Sequence, residues 1–297
     1  MGSRRKSNRK RLGVAAVAGC AAVAAVPALL TVANGATKTQ QKQTIAIPAY
    51  IYPGSGGWSS LTKPSPGAGL IVANPDSGPG AGKDATYAGA IKKAHGSGSK
   101  VIGYVDTGYF GTTGWDVPGH GSSTSAWLKA IKKNIDTWYA SYGSSGLGGI
   151  FFDDAQNKCG PRSGSTQYVD LYKKIRDYVK SKSSSAQVVI NPGTGTDQCY
   201  ADAADTLVTF EGSYASYRNF KPRSWEKSVA SSKIWHLVYE AGASQMSKAV
   251  SLSKKRNAGY LYVTDDDNTP VDGSPWGNPW DSVPSYWSKE VKTVTGH

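Results

Sequence analysis

A (β/α)8 barrel of the TIM type, folded as a single domain, is the fold class this sequence predicts. Three observations carry it. Eight short apolar runs recur between residues 44 and 267, helical or loop segments separate them, and polar residues gather at the C-terminal end of run after run. Alternation of this kind builds a parallel sheet covered by helices, and such a barrel commonly takes about 250 residues. An open doubly wound sheet would want a glycine fingerprint after the first strand. Pro53-Gly54-Ser55-Gly56-Gly57-Trp58 has neither the spacing nor the helix start.

The barrel does not begin at residue 1. Arg4, Arg5, Lys6, Arg9, Lys10 and Arg11 precede an Ala/Val-rich run from Val14 to Val32, and Ala33-Asn34-Gly35 offers small residues for cleavage. Residues 1–35 therefore read as a secretory signal peptide, with no membrane attachment once it is removed. Val17-Ala18-Gly19-Cys20 resembles a lipoprotein box, but the apolar run continues well past Cys20. Residues 36–43 read as a disordered lead-in, and 44–297 as the barrel.

The elements follow in order. Thr44–Tyr52 is the first strand, ended by the Pro/Gly loop. Gly69–Pro75 is the second. Asp84 then caps a helix that buries Tyr87, Ala90, Ile91 and Ala94 at three-four spacing. Val101–Asp106 is the third strand. Trp127, Ile131, Ile135, Trp138 and Tyr142 form one helical stripe, which marks them as core. Gly148–Asp154 is the fourth strand, followed by a helix with Tyr168, Leu171, Tyr172, Ile175, Tyr178 and Val179. Strands five to seven are Gln187–Gly193, Thr206–Gly212 and Ile234–Glu240. A helix with Met246, Ala249, Val250 and Ser253 leads to strand eight, Tyr260–Asp267. Trp287, Val291 and Val294 mark a closing helix. The connections after strands one, five and six are too short for full helices.

Charge and cysteine usage narrow the function. The chain carries +13, and taking away the six cations before Gly35, where no acid lies, leaves about +7. Beyond Lys254-Lys255-Arg256 there is no basic block, which argues against nucleic acid. Cys159 and Cys199 remain after cleavage, and an even count in a secreted chain predicts a disulfide between them. His95, His120, His236 and His297 have no ligand spacing, so no metal and no cofactor are expected.

The chemistry is expected at the strand ends, which form the active-site face of such a barrel. Alternation selects among the candidates. In strand four, Ile150 and Phe152 suit the helix-facing side, so Asp153 points inward with Phe151. Asp154 nominally points to the helix layer, though strands roll at their ends. In strand six, Val208 and Phe210 are expected outward, leaving Thr209 and Glu211 on the axis. In strand eight, Leu261 and Val263 face out, and Tyr260, Tyr262, Thr264 and Asp266 face in. Adjacent carboxylates repel, so at least one of Asp153 and Asp154 should hold its proton unusually tightly. Two inward acids across a cleft meet the requirement of glycoside hydrolysis: one protonates the departing oxygen while the other attacks or activates water. Tyr50, Tyr52, Trp58, Tyr104, Tyr109, Trp115, Tyr214, Tyr239, Trp276 and Trp280 lie near strand ends and could stack on sugar rings.

Ile47–Pro53, Asn74-Pro75, Gly103–Thr107, Gly149–Asp154, Asn191-Pro192-Gly193 and Phe210-Glu211 together resemble the spherulation-specific (spherulin 4-like) family, glycoside hydrolase family 135. The resemblance covers most of residues 44–290. It implies a (β/α)8 barrel and an endo-acting glycosidase that cuts α-1,4-linked N-acetylgalactosamine stretches of galactosaminogalactan. The family's acids fall on Asp153, Asp154 and Glu211. At Asp154 the fungal members carry glutamate, so the carboxylate here sits one methylene further back. The expectation is therefore a secreted, monomeric glycosidase with Asp153, Asp154 and Glu211 as catalytic residues. Its polysaccharide would contact Tyr50, Tyr52, Asn74, Tyr104, Asp106, Asn191, Tyr239, Glu240 and Asp266. A non-catalytic glycan-binding barrel is the alternative, since it would keep the aromatics without needing both inward acids. A metal-dependent phosphodiesterase is a third reading, for which Asp265-Asp266-Asp267 is a weak hint.

Overall fold

Strand β1 (Thr44–Ala49) pairs in parallel with β2 (Leu70–Ala73) on one side and with β8 (Tyr260–Val263) on the other, so the sheet closes on itself. Between them run β3 (Lys100–Asp106), β4 (Leu147–Asp153), β5 (Gln187–Ile190), β6 (Thr206–Ser213) and β7 (Ile234–Tyr239), each parallel to its neighbours. Closure rules out the open doubly wound sheet. This computed structural model describes residues 42–63, 67–114, 121–270 and 277–296. The expected signal peptide, residues 36–41 of the lead-in, Trp115 and Trp276 lie outside the described residues. Gln43, read as part of the lead-in, is buried, and its Nε2 donates to Ser253 Oγ at 2.9 Å and to the Ala258 carbonyl at 2.8 Å.

The helices are α1 (Gly57–Leu61), α2 (Ala85–Gly96), α3 (Thr124–Tyr142), α4 (Gln167–Lys182), α5 (Tyr214–Asn219), α6 (Ala243–Lys255) and α7 (Trp287–Thr295). As expected, α1 and α5 are stubs, and β5 leads to β6 through only a short 3-10 turn at Gln198–Asp202. Asp84 caps α2 by accepting from the N–H groups of Thr86 (2.7 Å) and Tyr87 (3.0 Å). The whole α3 stripe is buried, from Trp127 to Tyr142. Each large apolar side chain so buried contributes roughly 1.5–3 kcal/mol. Gly103 of β3 is required there, because a Cβ would lie 2.3 Å from the Trp138 ring.

Inside the barrel an aromatic column forms the floor of the cleft. Tyr50 meets Tyr104 edge-on (ring centroids 5.5 Å apart), Tyr104 stacks on Phe151 (6.1 Å), Phe151 meets Trp235 (5.6 Å), and Trp235 leans on Tyr260 (6.5 Å).

Two bulges set which residues face this interior. Against β3, the register jumps from Val101–Leu147 to Gly103–Ile150, which leaves one extra residue in β4. Gly149 sits in it at φ 154°, and a Cβ there would meet the Gln187 carbonyl oxygen at 1.9 Å. Against β7, the register jumps from Val208–Trp235 to Phe210–His236, and Thr209 is the extra residue. Here the expected alternation fails. Val208 lies opposite Trp235, an interior residue, rather than facing the helices. Thr209 turns to the buried Glu226 instead of the axis. Phe210 faces outward as expected, against Tyr217 and Phe220. Glu211 keeps the inward side because it follows the bulge.

Candidate active site

Asp153 ends β4, Glu211 lies in β6, and Asn191 stands between them as the first residue after β5. One nitrogen joins the two acids: Asn191 Nδ2 donates to Asp153 Oδ1 at 2.8 Å and to Glu211 Oε2 at 2.7 Å. The amide's own oxygen accepts from the Gly193 N–H at 2.9 Å, which fixes which end of the amide is which. The two carboxylate oxygens therefore lie no further apart than those two bonds laid end to end. Tyr50 and Tyr104 also stand beside the Asp153 carboxyl, and Trp280 stands beside that of Glu211.

Burial in this cleft works against ionisation. It raises the proton affinity of Asp153 well above the carboxylate range, and the nearby charges of Asp154 and Glu211 add to the effect. Burial likewise raises Glu211, opposed by the bond from Asn191, reinforced by Asp154 and opposed again by Trp280. Asp154 is raised to about 6 by burial and then by Asp106, against a bond from Tyr109. Asp106 is raised by burial while the Gly108 N–H opposes it at 2.6 Å. Tyr50 is pushed up by burial and by the acids around it, so its phenol stays protonated and serves as a donor.

The structure thus gathers Asp153, Asp154, Glu211, Asn191, Tyr50, Tyr104 and Asp106 into one site. Tyr239 is at its edge, its ring 6.1 Å from Trp280. The remaining candidates are placed on the rim. Asn74 Oδ1 accepts from the Gly78 N–H, holding its own turn. Tyr52 is 53 % exposed and donates to Thr86. Glu240 is exposed, and its N–H donates to the Asp266 carbonyl, while the Asp266 carboxylate accepts from Ser282. Two of the aromatics near strand ends are packing residues: Trp58 is buried and donates to the Ile51 carbonyl, and Tyr214 is buried. Trp280 is the partner that sequence reasoning did not assign to an acid. It stands far from β6 in the chain, and no local pattern ties them.

Cys159 and Cys199 form the expected disulfide. It links the loop after β4 to the loop after β5, beside the bond from the Asp197 N–H to the Asn157 carbonyl (2.9 Å). Among the described residues no helix is long and apolar enough to cross a membrane.

Comparison with known proteins places the chain. The family profile described as spherulation-specific family 4 matches residues 44–294, nearly the whole barrel. The chain belongs to this spherulation-specific family. Spherulin-4 of Physarum polycephalum is 29 % identical over 261 residues, spanning 84 % of this chain and 69 % of its own. Among solved structures, Aspergillus clavatus Sph3, crystallised in complex with GalNAc, superposes with a TM-score of 0.66 at 21 % identity, covering 86 % of this chain and 98 % of its own. A beta-glucuronidase from an uncultured Clostridium superposes at 0.54 with 10 % identity, over 86 % of this chain and 50 % of its own. At these identities the two solved structures speak for the fold: this spherulation-family chain is a (β/α)8 barrel.

Proposed function

We propose that this chain is a secreted, endo-acting glycoside hydrolase that cuts a hexosamine-containing polysaccharide, one like galactosaminogalactan with α-1,4-N-acetylgalactosamine linkages. The observation that carries the reading is the single Asn191 amide bonded to both Asp153 and Glu211. Acids held this close match the separation of about 5–5.5 Å at which the second carboxylate acts as nucleophile and the anomeric configuration is retained. With the pair holding one proton, on Glu211, the ionised Asp153 carboxylate attacks the anomeric carbon, the bond to the departing oxygen breaks, and Glu211 gives that oxygen its proton. Water then adds to the same carbon, losing a proton to Glu211, and Asp153 leaves. Asp154 acts as an electrostatic partner. An amino-sugar substrate is supported by family membership and by the GalNAc seen in Sph3, a protein of the same fold. Secretion is supported by the basic and apolar leader in the sequence and by the disulfide.

The test is incubation with purified galactosaminogalactan and related amino-sugar polymers, followed by sizing of the products and proton NMR of the first anomeric signal formed. Shortened chains that first appear with retained configuration are expected. Binding without shortening on every polymer would leave a glycan-binding barrel in its place.

A further inference from the structure

Residues 108–111, just after β3, make a left-handed turn. Their φ angles are 47° at Gly108, 51° at Tyr109, 53° at Phe110 and 71° at Gly111. Side-chain-bearing residues avoid this region, and two in succession are rare. Asp154 adopts it too, at φ 49°. Strain of this kind persists only where the surroundings enforce it, and it collects at working sites.

The two segments hold one another. The Tyr109 N–H donates to the Asp154 carbonyl at 2.8 Å, and the Thr107 N–H to the Asp153 carbonyl at 3.0 Å. The Thr107 hydroxyl lies 2.8 Å and 2.9 Å from the carbonyl oxygens of Asp153 and Asp154. Beneath the turn, Phe110 is fully buried with its ring edge-on to Tyr172, 5.1 Å between centroids. Gly108 is sealed by Trp127, whose ring a Cβ would meet at 2.0 Å. Relaxing the turn would therefore mean unpacking it. What it delivers is the Tyr109 phenol, which donates to Asp154 Oδ1 at 3.2 Å.

We propose that Tyr109 is a positioning residue for Asp154, and that the left-handed turn is retained to present it. Plain strand alternation would send Asp154 toward the helices. Its left-handed backbone step turns the carboxyl toward the β3–α3 loop, where Asp106 repels it and the phenol anchors it. The anchor favours the ionised form and fixes the side chain beside Asp153. The consequence for catalysis rests on the glycosidase reading; the pairing of Tyr109 with Asp154 does not.

Tyr109→Phe removes the hydroxyl and leaves the ring. Carboxyl carbon NMR on the labelled protein should show Asp154 titrating about one unit higher than in the wild type. On an amino-sugar polymer, kcat should fall roughly tenfold with KM within about twofold, and the acid limb of the pH profile should move upward with Asp154. In an Asp154→Asn background the same change should cost nothing further. An Asp154 resonance that titrates alike in both proteins, or an effect of Tyr109→Phe that persists without Asp154, overturns the proposal. A wild type whose Asp154 responds to Tyr109→Phe as expected while cutting no amino-sugar polymer supports the pairing and overturns the glycosidase reading alone.

Discussion

Asp153 and Glu211 each face a carboxylate neighbour across a shared amide, and each is desolvated. Such an arrangement costs stability, and under the proposed function it is kept for reactivity. Asp153→Asn and Glu211→Gln should each lower cleavage by at least about 10²–10⁴-fold, while the thermal midpoint stays level or rises, because each removes one member of a repelling pair. A large drop in midpoint with either variant would mark that acid as structural. Asn191→Ala should slow cleavage and let the two acids drift apart, so the pH profile of kcat should broaden or split as well as fall. A profile of unchanged shape would deny Asn191 its bridging role. Asp153 and Glu211 were legible from strand parity and from the family resemblance. The role of Asn191 as bridge was not: it needs three strand ends converging on the axis, which a linear pattern does not encode.

At the level of the element, the β4 bulge decides which way Asp153 points. Gly149→Ala would press a Cβ against the Gln187 carbonyl in a backbone region closed to side chains. A loss of roughly 2–4 kcal/mol in chemical denaturation is expected, and a loss below about 0.5 kcal/mol would show that the bulge relaxes freely. Helix α7 supplies a second test. Glu290 is wholly buried, with Oε1 accepting from the Val263 N–H of β8 at 2.8 Å and Oε2 without a partner. Burial raises its pKa well above the usual range, opposed by the Val263 bond and reinforced by Asp265. Folding thus raises its proton affinity, so its contribution is complete below the unfolded value of about 4.3 and is lost as pH climbs through the raised one. The thermal midpoint should fall as the pH rises above the ordinary carboxylate range, and Glu290→Gln, which cannot ionise, should flatten that fall. Equal slopes in variant and wild type would remove Glu290 as a cause. The Thr209 bulge shows why parity misled at Val208. A bulge shifts every residue on one side of it by one step, and nothing in Val208-Thr209-Phe210 announces the extra residue.

For the whole molecule, the Cys159–Cys199 bridge closes a separation of 40 residues across two active-face loops. In the chain-entropy account this contributes about 4 kcal/mol. The double variant Cys159→Ser/Cys199→Ser should therefore unfold at clearly lower denaturant concentration, with much of its cleavage retained, since Asp153, Glu211 and Asn191 all lie at or beside strand ends rather than within the bridged turns. Loss of activity without loss of stability would instead tie the bridge to the geometry of the cleft.

Barrel class, strand order, the buried α3 stripe and the inward acids were available from the chain alone, because each follows from a short-range period or from composition. The tertiary structure decided the rest. It folded Tyr52 and Asn74 onto the rim, set Trp280 against Glu211, turned Asp154 through a left-handed step, and brought one amide between two acids. Those choices depend on where distant strand ends converge and on single inserted residues, which local periodicity cannot register.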